Sequence, residues 1–359
     1  MRVLRVINSL AIGGAERGVS ENLPIHIKNG FDVDLLLLDG YMTRFKSNLI
    51  NSEVKIFNLG TNISIYNPFL IFKIIPFLKK YNIIHVSLFP AFYLVAFASL
   101  FVINKPKLIF TEHNTTNRRR NNFILRTIDL FVYKRYNHIV NISEGSGAAF
   151  LKHTNKRVNS SIIYNGVNFD SLINLTLSDK SLLELIKNKK VILQVSSFRA
   201  DKDQQTLIKA MSLLDDNYIL LLAGIGRNLK KCKLLSQELN LTDKIIFLGL
   251  QDKIGSIINL SDVCVLSSHV EGFGRSAVEC MFLKKPTIGS NVPGLSEVIN
   301  NENLLFNVGD HMKLAKIIFS LCEDKNYYKK TSNDCFIRAK MFDNKYMIKS
   351  YEKLYLNIN

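Results

Sequence analysis

The sequence predicts two doubly wound α/β domains in one chain, and three observations predict it. The 359 residues exceed what one compact core usually holds. Short apolar, β-rich runs alternate with longer helical stretches, as in parallel sheets covered on both faces. The alternation also stops once and restarts.

The first series of strands is expected at 3–8, 33–38, 54–57, 83–87, 108–111, 138–142 and 162–164. The second is expected at 191–196, 218–223, 244–248, 262–267, 287–289 and 304–306. The stretch 168–190 is rich in Asn, Ser and Lys and reads as a linker. Expected boundaries are therefore 1–167 for the first domain, 191–340 for the second, and 341–359 for a closing helix with apolar residues three and four apart. No solenoid period is visible.

Composition narrows the class. Hydrophobic residues make up 47% and charged residues 21%, ordinary for a folded soluble chain. The N-terminus, MRVLRVINSL, lacks the apolar run and cleavage site of a signal peptide. The five cysteines include no C-x-x-C pair and read as reduced thiols, so a cytoplasmic location is expected. Residues 83–104 carry no Lys, Arg, Asp or Glu and are long enough to span a bilayer. His85, Ser87 and Pro90 favour instead a buried strand, a turn at Phe89-Pro90 and a buried helix to about Val102.

The net charge is +17. Residues 1–170 carry 21 Lys/Arg against 10 Asp/Glu, a net +11, and the remainder 26 against 20, a net +6. Such a surface suits an anionic substrate, an anionic membrane or a nucleic acid. The charge is spread over two α/β domains without a nucleic-acid-binding motif, so no nucleic acid is expected.

Ligands of doubly wound sheets sit at the carboxyl ends of strands. The strongest signal there follows the run 262–267: Glu271-Gly272-Phe273-Gly274-Arg275-Ser276, with Glu279 eight residues after Glu271. The glycines let backbone approach a ligand. A helix opening near Arg275 offers N–H groups and a positive dipole end to phosphate. Taken alone, Glu279 reads equally well as a solvated helix residue. Arg199 and Lys202 lie at another strand-to-helix junction, and read as two fixed cations that suit a diphosphate or as surface charge near a helix start. Gly13-Gly14 follows the first strand and departs from G-x-G-x-x-G, so it reads as a phosphate or sugar approach or as a plain tight turn. His113, in Thr111-Glu112-His113-Asn114, follows a strand and reads as a sugar contact or a structural histidine. No H-E-x-x-H and no Walker A loop is present, so no metal is expected.

Together these motifs resemble glycosyltransferase family 4, the retaining family of GT-B fold, over nearly the whole chain. The E-x7-E pattern from Glu271 to Glu279 is the most specific element. Gly13-Gly14-Ala15-Glu16-Arg17, Tyr164-Asn165-Gly166-Val167 and Gly294-Leu295-Ser296-Glu297-Val298 resemble further family segments. The resemblance implies two Rossmann-like domains facing a central cleft, an acceptor-binding first and a donor-binding second, with the last helix crossing back. It implies that Arg199 and Lys202 neutralise the donor diphosphate and that Glu271 binds hydroxyls of the transferred sugar. By the same resemblance Glu279 binds the ribose. Backbone from Gly272, Phe273, Gly274, Arg275 and Ser276 faces sugar or phosphate, and His113, Gly13 and Gly14 approach from the other domain. Arg275 departs from the small or apolar residue of many members.

The implied reaction moves a hexose or N-acetylhexosamine from a UDP- or GDP-sugar to a glycan or lipid-linked acceptor in bacterial surface polysaccharide synthesis (O-antigen or capsule), without cofactor. An epimerase of the same fold and a non-catalytic partner subunit stay open. Residues 67–80, apolar with terminal lysines, and Arg118-Arg119-Arg120 suggest docking on the anionic inner face of the cytoplasmic membrane. Residues 67–80 also fit a core-facing helix shortened by Pro76.

Overall fold

The computed structural model describes residues 1–11, 13–50, 52–116, 122–156, 158–173 and 179–358. Arg118–Arg120 lie outside them. The chain forms two compact units, one of residues 1–166 with 344–359, the other of residues 167–343.

In the first unit the elements are β1 (Arg2–Ile7), α1 (Gly14–Lys28), β2 (Asp32–Leu37), α2 (Arg44–Ile50), β3 (Ile56–Asn58), α3 (Leu70–Leu78) and β4 (Ile83–Ser87). There follow α4 (Ala91–Ala98), β5 (Lys107–Glu112), α5 (Phe123–Tyr133), β6 (His138–Asn141), α6 (Glu144–Thr154) and β7 (Ser160–Ile162). The sheet is parallel, in the order β3-β2-β1-β4-β5-β6-β7. The apolar strands are buried on both faces because helices cover both. Leu4 and Val6 face one core with Leu70 and Ile74 of α3 and Phe92 of α4. Val3 and Ile7 face the other with Val19 and Leu23 of α1.

Three expectations are corrected here. The outer strands sit at 56–58 and 160–162, because an edge strand takes its register from its single neighbour, as Ser160 does from Ile139. The helix expected to run to Val102 ends at Ala98. A 3-10 turn, Ser99–Phe101, follows, and Leu100 and Phe101 are exposed. Among the described residues no helix is long and apolar enough to cross a membrane.

The second unit contains α7 (Lys180–Leu185), β8 (Lys190–Val195), α8 (Gln204–Met211), β9 (Tyr218–Ala223), α9 (Leu229–Glu238), β10 (Ile245–Gly249), α10 (Ile254–Leu260) and β11 (Val263–Leu266). It continues with α11 (Arg275–Phe282), β12 (Thr287–Ser290), α12 (Leu295–Ile299), β13 (Leu305–Phe306), α13 (His311–Glu323) and α14 (Lys325–Lys340). Its parallel sheet has the order β10-β9-β8-β11-β12-β13. The stretch read as a linker, 168–190, lies within this unit. Phe169 stacks on Phe282 of α11, with ring centroids 3.8 Å apart, and α7 is capped by Asp179. Among the described residues of this stretch Phe169, Leu172, Leu182 and Ile186 are buried, which Asn-rich composition did not reveal.

The last helix, α15 (Asn344–Asn357), belongs to the first unit. Met347, Ile348, Tyr351 and Tyr355 form one apolar face and join the core beside α1. Beneath it lies a buried polar island on β1, β4 and β5. The Arg5 guanidinium donates to His85 Nδ1 and, at 3.2 Å, to the Tyr355 hydroxyl. A guanidinium can only donate, so Nδ1 accepts and the His85 proton sits on Nε2. Nε2 lies 2.7 Å from Thr111 Oγ1, which is 3.2 Å from the Tyr351 hydroxyl. Burial first, then Arg5, pushes the His85 pKa well down, which keeps the ring neutral.

Candidate active site

Both sheets reverse their strand order beside their first strand, and crevices form at such reversals. In the second unit the reversal lies between β8 and β11. The loops leaving these strands are stitched together by backbone. Asp203 N–H donates to Ser267 O at 3.0 Å, and His269 and Val270 N–H donate to Asp201 O at 2.9 and 3.2 Å. Lys202 bridges Ser268 in antiparallel fashion. Gln194 clamps the second loop, donating to Ser267 O and accepting from Ser267 N–H, each at 3.3 Å.

This stitching delivers two side chains to one point. The Lys202 ammonium pairs with Glu271 Oε2 and donates to Ser268 Oγ at 3.3 Å. Both partners are largely shielded from solvent. Glu271 Oε1 accepts from Gly272 N–H at 3.2 Å. Phe273 is buried edge-on against Phe342, at 5.3 Å, and anchors the loop.

Gly274 then takes the left-handed conformation, φ 89°, that starts α11. The Ala277 N–H donates to Gly274 O at 2.9 Å and closes the first turn of α11 on that glycine. Glu279 is 3% exposed and lies 3.5 Å from Arg275 Nε, so it is a buried carboxylate and not a solvated one. Gly272, Phe273, Gly274, Arg275 and Ser276 thus form a backbone arc between two acidic side chains.

Arg199 is placed differently. Its guanidinium holds Asp201 in a bidentate pair at 2.9 and 3.1 Å and is 64% exposed. Burial would raise the Asp201 carboxyl, but the Arg199 hydrogen bonds and charge, helped by Lys202, hold it below the usual carboxylate range.

The first unit carries its own set. Gly13 caps α1 in extended conformation. The Glu16 side chain folds so close over it that a Cβ would strike the carboxylate. Asn8 joins the loops after β1 and β4, donating to Phe89 O at 2.8 Å and accepting from Ala91 N–H at 3.1 Å. His113 follows β5. Its Nε2 is buried without a hydrogen-bond partner among the described residues, a group that a ligand hydroxyl would satisfy. Burial and then the Arg5 charge push its pKa down to about 3, so the ring is neutral.

Sequence reasoning missed Asn8, Ser268, Gln194 and the glycines behind the site. Gly224 and Gly226, after β9, touch the backbone of Ser196 and Phe198 so closely that any side chain would clash. Gly-x-Gly directly after a strand was the available signal. Asn8 and Gln194 carry no comparable mark.

The chain matches two family models placed end to end. "Glycosyltransferase Family 4" matches residues 12–171, and "Glycosyl transferases group 1" matches residues 179–335.

The chain belongs to glycosyltransferase family 4.

Among its relatives is the N-acetylgalactosamine-N,N'-diacetylbacillosaminyl-diphospho-undecaprenol 4-alpha-N-acetylgalactosaminyltransferase of Campylobacter jejuni, 25% identical over 94% of each chain. The N-acetyl-alpha-D-glucosaminyl L-malate synthase of Bacillus anthracis is 28% identical over 48% of this chain and 46% of its own length, so this match spans about half of that relative. The structure of HepE from Anabaena in complex with UDP and glucose superposes with a TM-score of 0.86 and 20% identity. It covers 99% of this chain and 100% of HepE. The two units of this family 4 transferase are thus the two Rossmann-like domains of the GT-B fold. Within the family 4 frame, the Lys202–Glu271 pair lies in the loops that leave β8 and β11, where the second sheet reverses, and the buried Glu279 lies in α11, the helix that follows β11.

Proposed function

We propose that this transferase moves a hexose or N-acetylhexosamine from a UDP-sugar to a lipid-linked glycan, with retention at the anomeric carbon and without a metal. The observation that carries the reading is the Lys202–Glu271 pair beside the opening turn of α11. Lys202, Arg199 and that turn neutralise the diphosphate. The anomeric C–O bond to phosphate breaks, a bond to the acceptor oxygen forms on the same face, and the acceptor proton leaves on the departing diphosphate. Negative charge grows on that leaving group, so preorganised cations act where they lower the barrier. Glu271 accepts from hydroxyls of the sugar, and Glu279 accepts from the ribose. In the first unit, His113 and the Gly13-Gly14 turn are the candidate sugar and phosphate contacts. UDP over GDP follows the UDP found in HepE. The lipid-linked acceptor follows the diphospho-undecaprenol acceptor named for the Campylobacter relative. The reaction is then part of surface polysaccharide synthesis, at the inner face of the cytoplasmic membrane and against anionic lipid.

A thermal-shift series with UDP, GDP, their sugars and ADP-glucose, each with and without EDTA, tests this. A ligand of the folded state raises Tm by mass action. A shift with UDP and its sugars that survives EDTA is the expected result. A shift abolished by EDTA removes the metal-free mechanism, and a shift with GDP alone reassigns the donor. No shift with any nucleotide favours the non-catalytic partner reading. Release of free epimerised sugar without transfer favours the epimerase.

A further inference from the structure

The outer face of α3 is built against the rule that its inner face obeys. Leu70, Ile74 and Leu78, four residues apart, point into the core. Phe69 and Phe72, three apart, point out and are 70% and 60% exposed. The 3-10 turn after α4 packs beside α3 and adds Phe101, which is 59% exposed although its ring lies 6.1 Å from that of Phe72. Ile103, two residues on, is 97% exposed. Exposed single apolar residues need no explanation, but these adjoin. Three phenylalanines exposed to this degree present on the order of 400 Å² of apolar surface, the size at which a patch marks an interaction site.

The charge around the patch is of one sign. Between Glu53 and Glu112 the sequence has no Asp or Glu, only six lysines. Lys79 and Lys80 close α3, and Lys105 follows Ile103; all three are exposed. Lys73, on α3 itself, is folded back to donate to Leu59 O at 2.9 Å. Aromatic side chains that enter the acyl boundary, rimmed by lysines at headgroup level, are what an anionic bilayer selects. A second copy of the chain fits worse. A two-fold contact sets the patch against itself, and here it would bring lysines towards lysines with no acidic residue from this stretch between them.

We infer that the face formed by Phe69, Phe72, Phe101 and Ile103, with its lysine rim, docks the first unit on an anionic lipid bilayer. The inference deepens the lipid-linked acceptor reading and rests on it for its purpose. Docking leaves the acceptor's polyprenyl chain in the membrane and brings only its polar end to the protein.

The test is co-sedimentation of the full chain with vesicles of phosphatidylcholine alone or with one-third phosphatidylglycerol, with neither donor nor acceptor present. Wild type is expected to pellet with the anionic vesicles and to stay in solution with the neutral ones. Phe72→Ser with Phe101→Ser should weaken binding about tenfold or more while the thermal melt and the UDP-induced shift stay unchanged. Lys79→Glu with Lys80→Glu should remove the preference for phosphatidylglycerol. Wild type that ignores anionic vesicles overturns the inference, as does a phenylalanine variant that binds like wild type. A dimer in sedimentation equilibrium that the phenylalanine variant dissociates, without vesicle binding, assigns the face to a second copy and also overturns it. An intact UDP shift in any of these cases leaves the transfer reading standing.

Discussion

The ammonium of Lys202 and the carboxylate of Glu271, 69 residues apart in sequence, form one ion pair across the carboxyl ends of two adjacent parallel strands. Each helps to fix the other's position, and removing either takes away the other's ion-pair partner across the two strands.

Lys202→Ala and Glu271→Gln are each expected to lower kcat by about 10²–10³-fold, the usual loss for one preorganised group at a developing charge. The double variant should lose less than the product of the two, because the residues act as a unit. Steady-state rates with the donor identified by thermal shift check this. Full activity in either single variant removes these residues from the site.

Gly294 supports the same pair from behind. It sits at φ 86°, and a Cβ there would lie 2.6 Å from Glu271 O and 2.7 Å from Gly272 C, both backbone atoms that cannot swing aside. Gly309 has the same φ of 86° and open space around it. Gly309→Ala should cost only the torsional penalty, about 1–2 kcal/mol. Gly294→Ala should cost more and also reduce the UDP-induced thermal shift. Equal effects in the two variants would show that the contact with Glu271 does not matter.

The first unit should weaken as pH falls. His85 and His113 both titrate below the usual histidine value in the folded state. Below about pH 6.5 the unfolded chain therefore binds protons that the folded one refuses, and stability drops. The slope approaches about 1.4 kcal/mol per pH unit for each such ring and ends at its folded pKa, about 3 for His113. Melting curves from pH 7.5 to 5 should show a falling Tm, with a smaller fall in His113→Leu. An identical fall in that variant would place the proton uptake elsewhere.

Tyr355 ties α15 to the sheet through Arg5 and His85, the latter at 2.6 Å. Tyr355→Phe leaves both buried partners short of one hydrogen bond and should destabilise the first unit by about 1–3 kcal/mol. Tyr351→Phe, which loses one neutral bond to Thr111 at 3.2 Å, should cost less. Urea unfolding of both variants, with tyrosine fluorescence and proteolysis at the chain's end as readouts, distinguishes them.

Much of the architecture was legible because it rests on local rules. Runs such as Leu220-Leu221-Leu222 announce strands buried on both faces, and Gly274 before Arg275 announces a helix start after a left-handed residue. The order of motifs along the chain, with Glu271 and Glu279 eight apart, pointed to the transferase family. Edges were misplaced where local pattern has no authority. Ser160 is polar yet is a strand, because β6 offers it a partner. Phe101 is apolar yet exposed, because α4 ends three residues before it.

By itself, then, the sequence determined two doubly wound units, a closing helix, and which loops hold cations, carboxylates and glycines. Hydrophobic period, turn chemistry and residue spacing act over a few residues and can be read from them. Only the tertiary structure decided that Lys202 meets Glu271 while Arg199 is held by Asp201, that Glu279 is buried, that Gly294 lies against the Glu271 backbone, and that α3 turns phenylalanines outward. Those outcomes depend on which distant backbone segments pack together and on which groups burial deprives of water, and no local stretch of sequence carries that information.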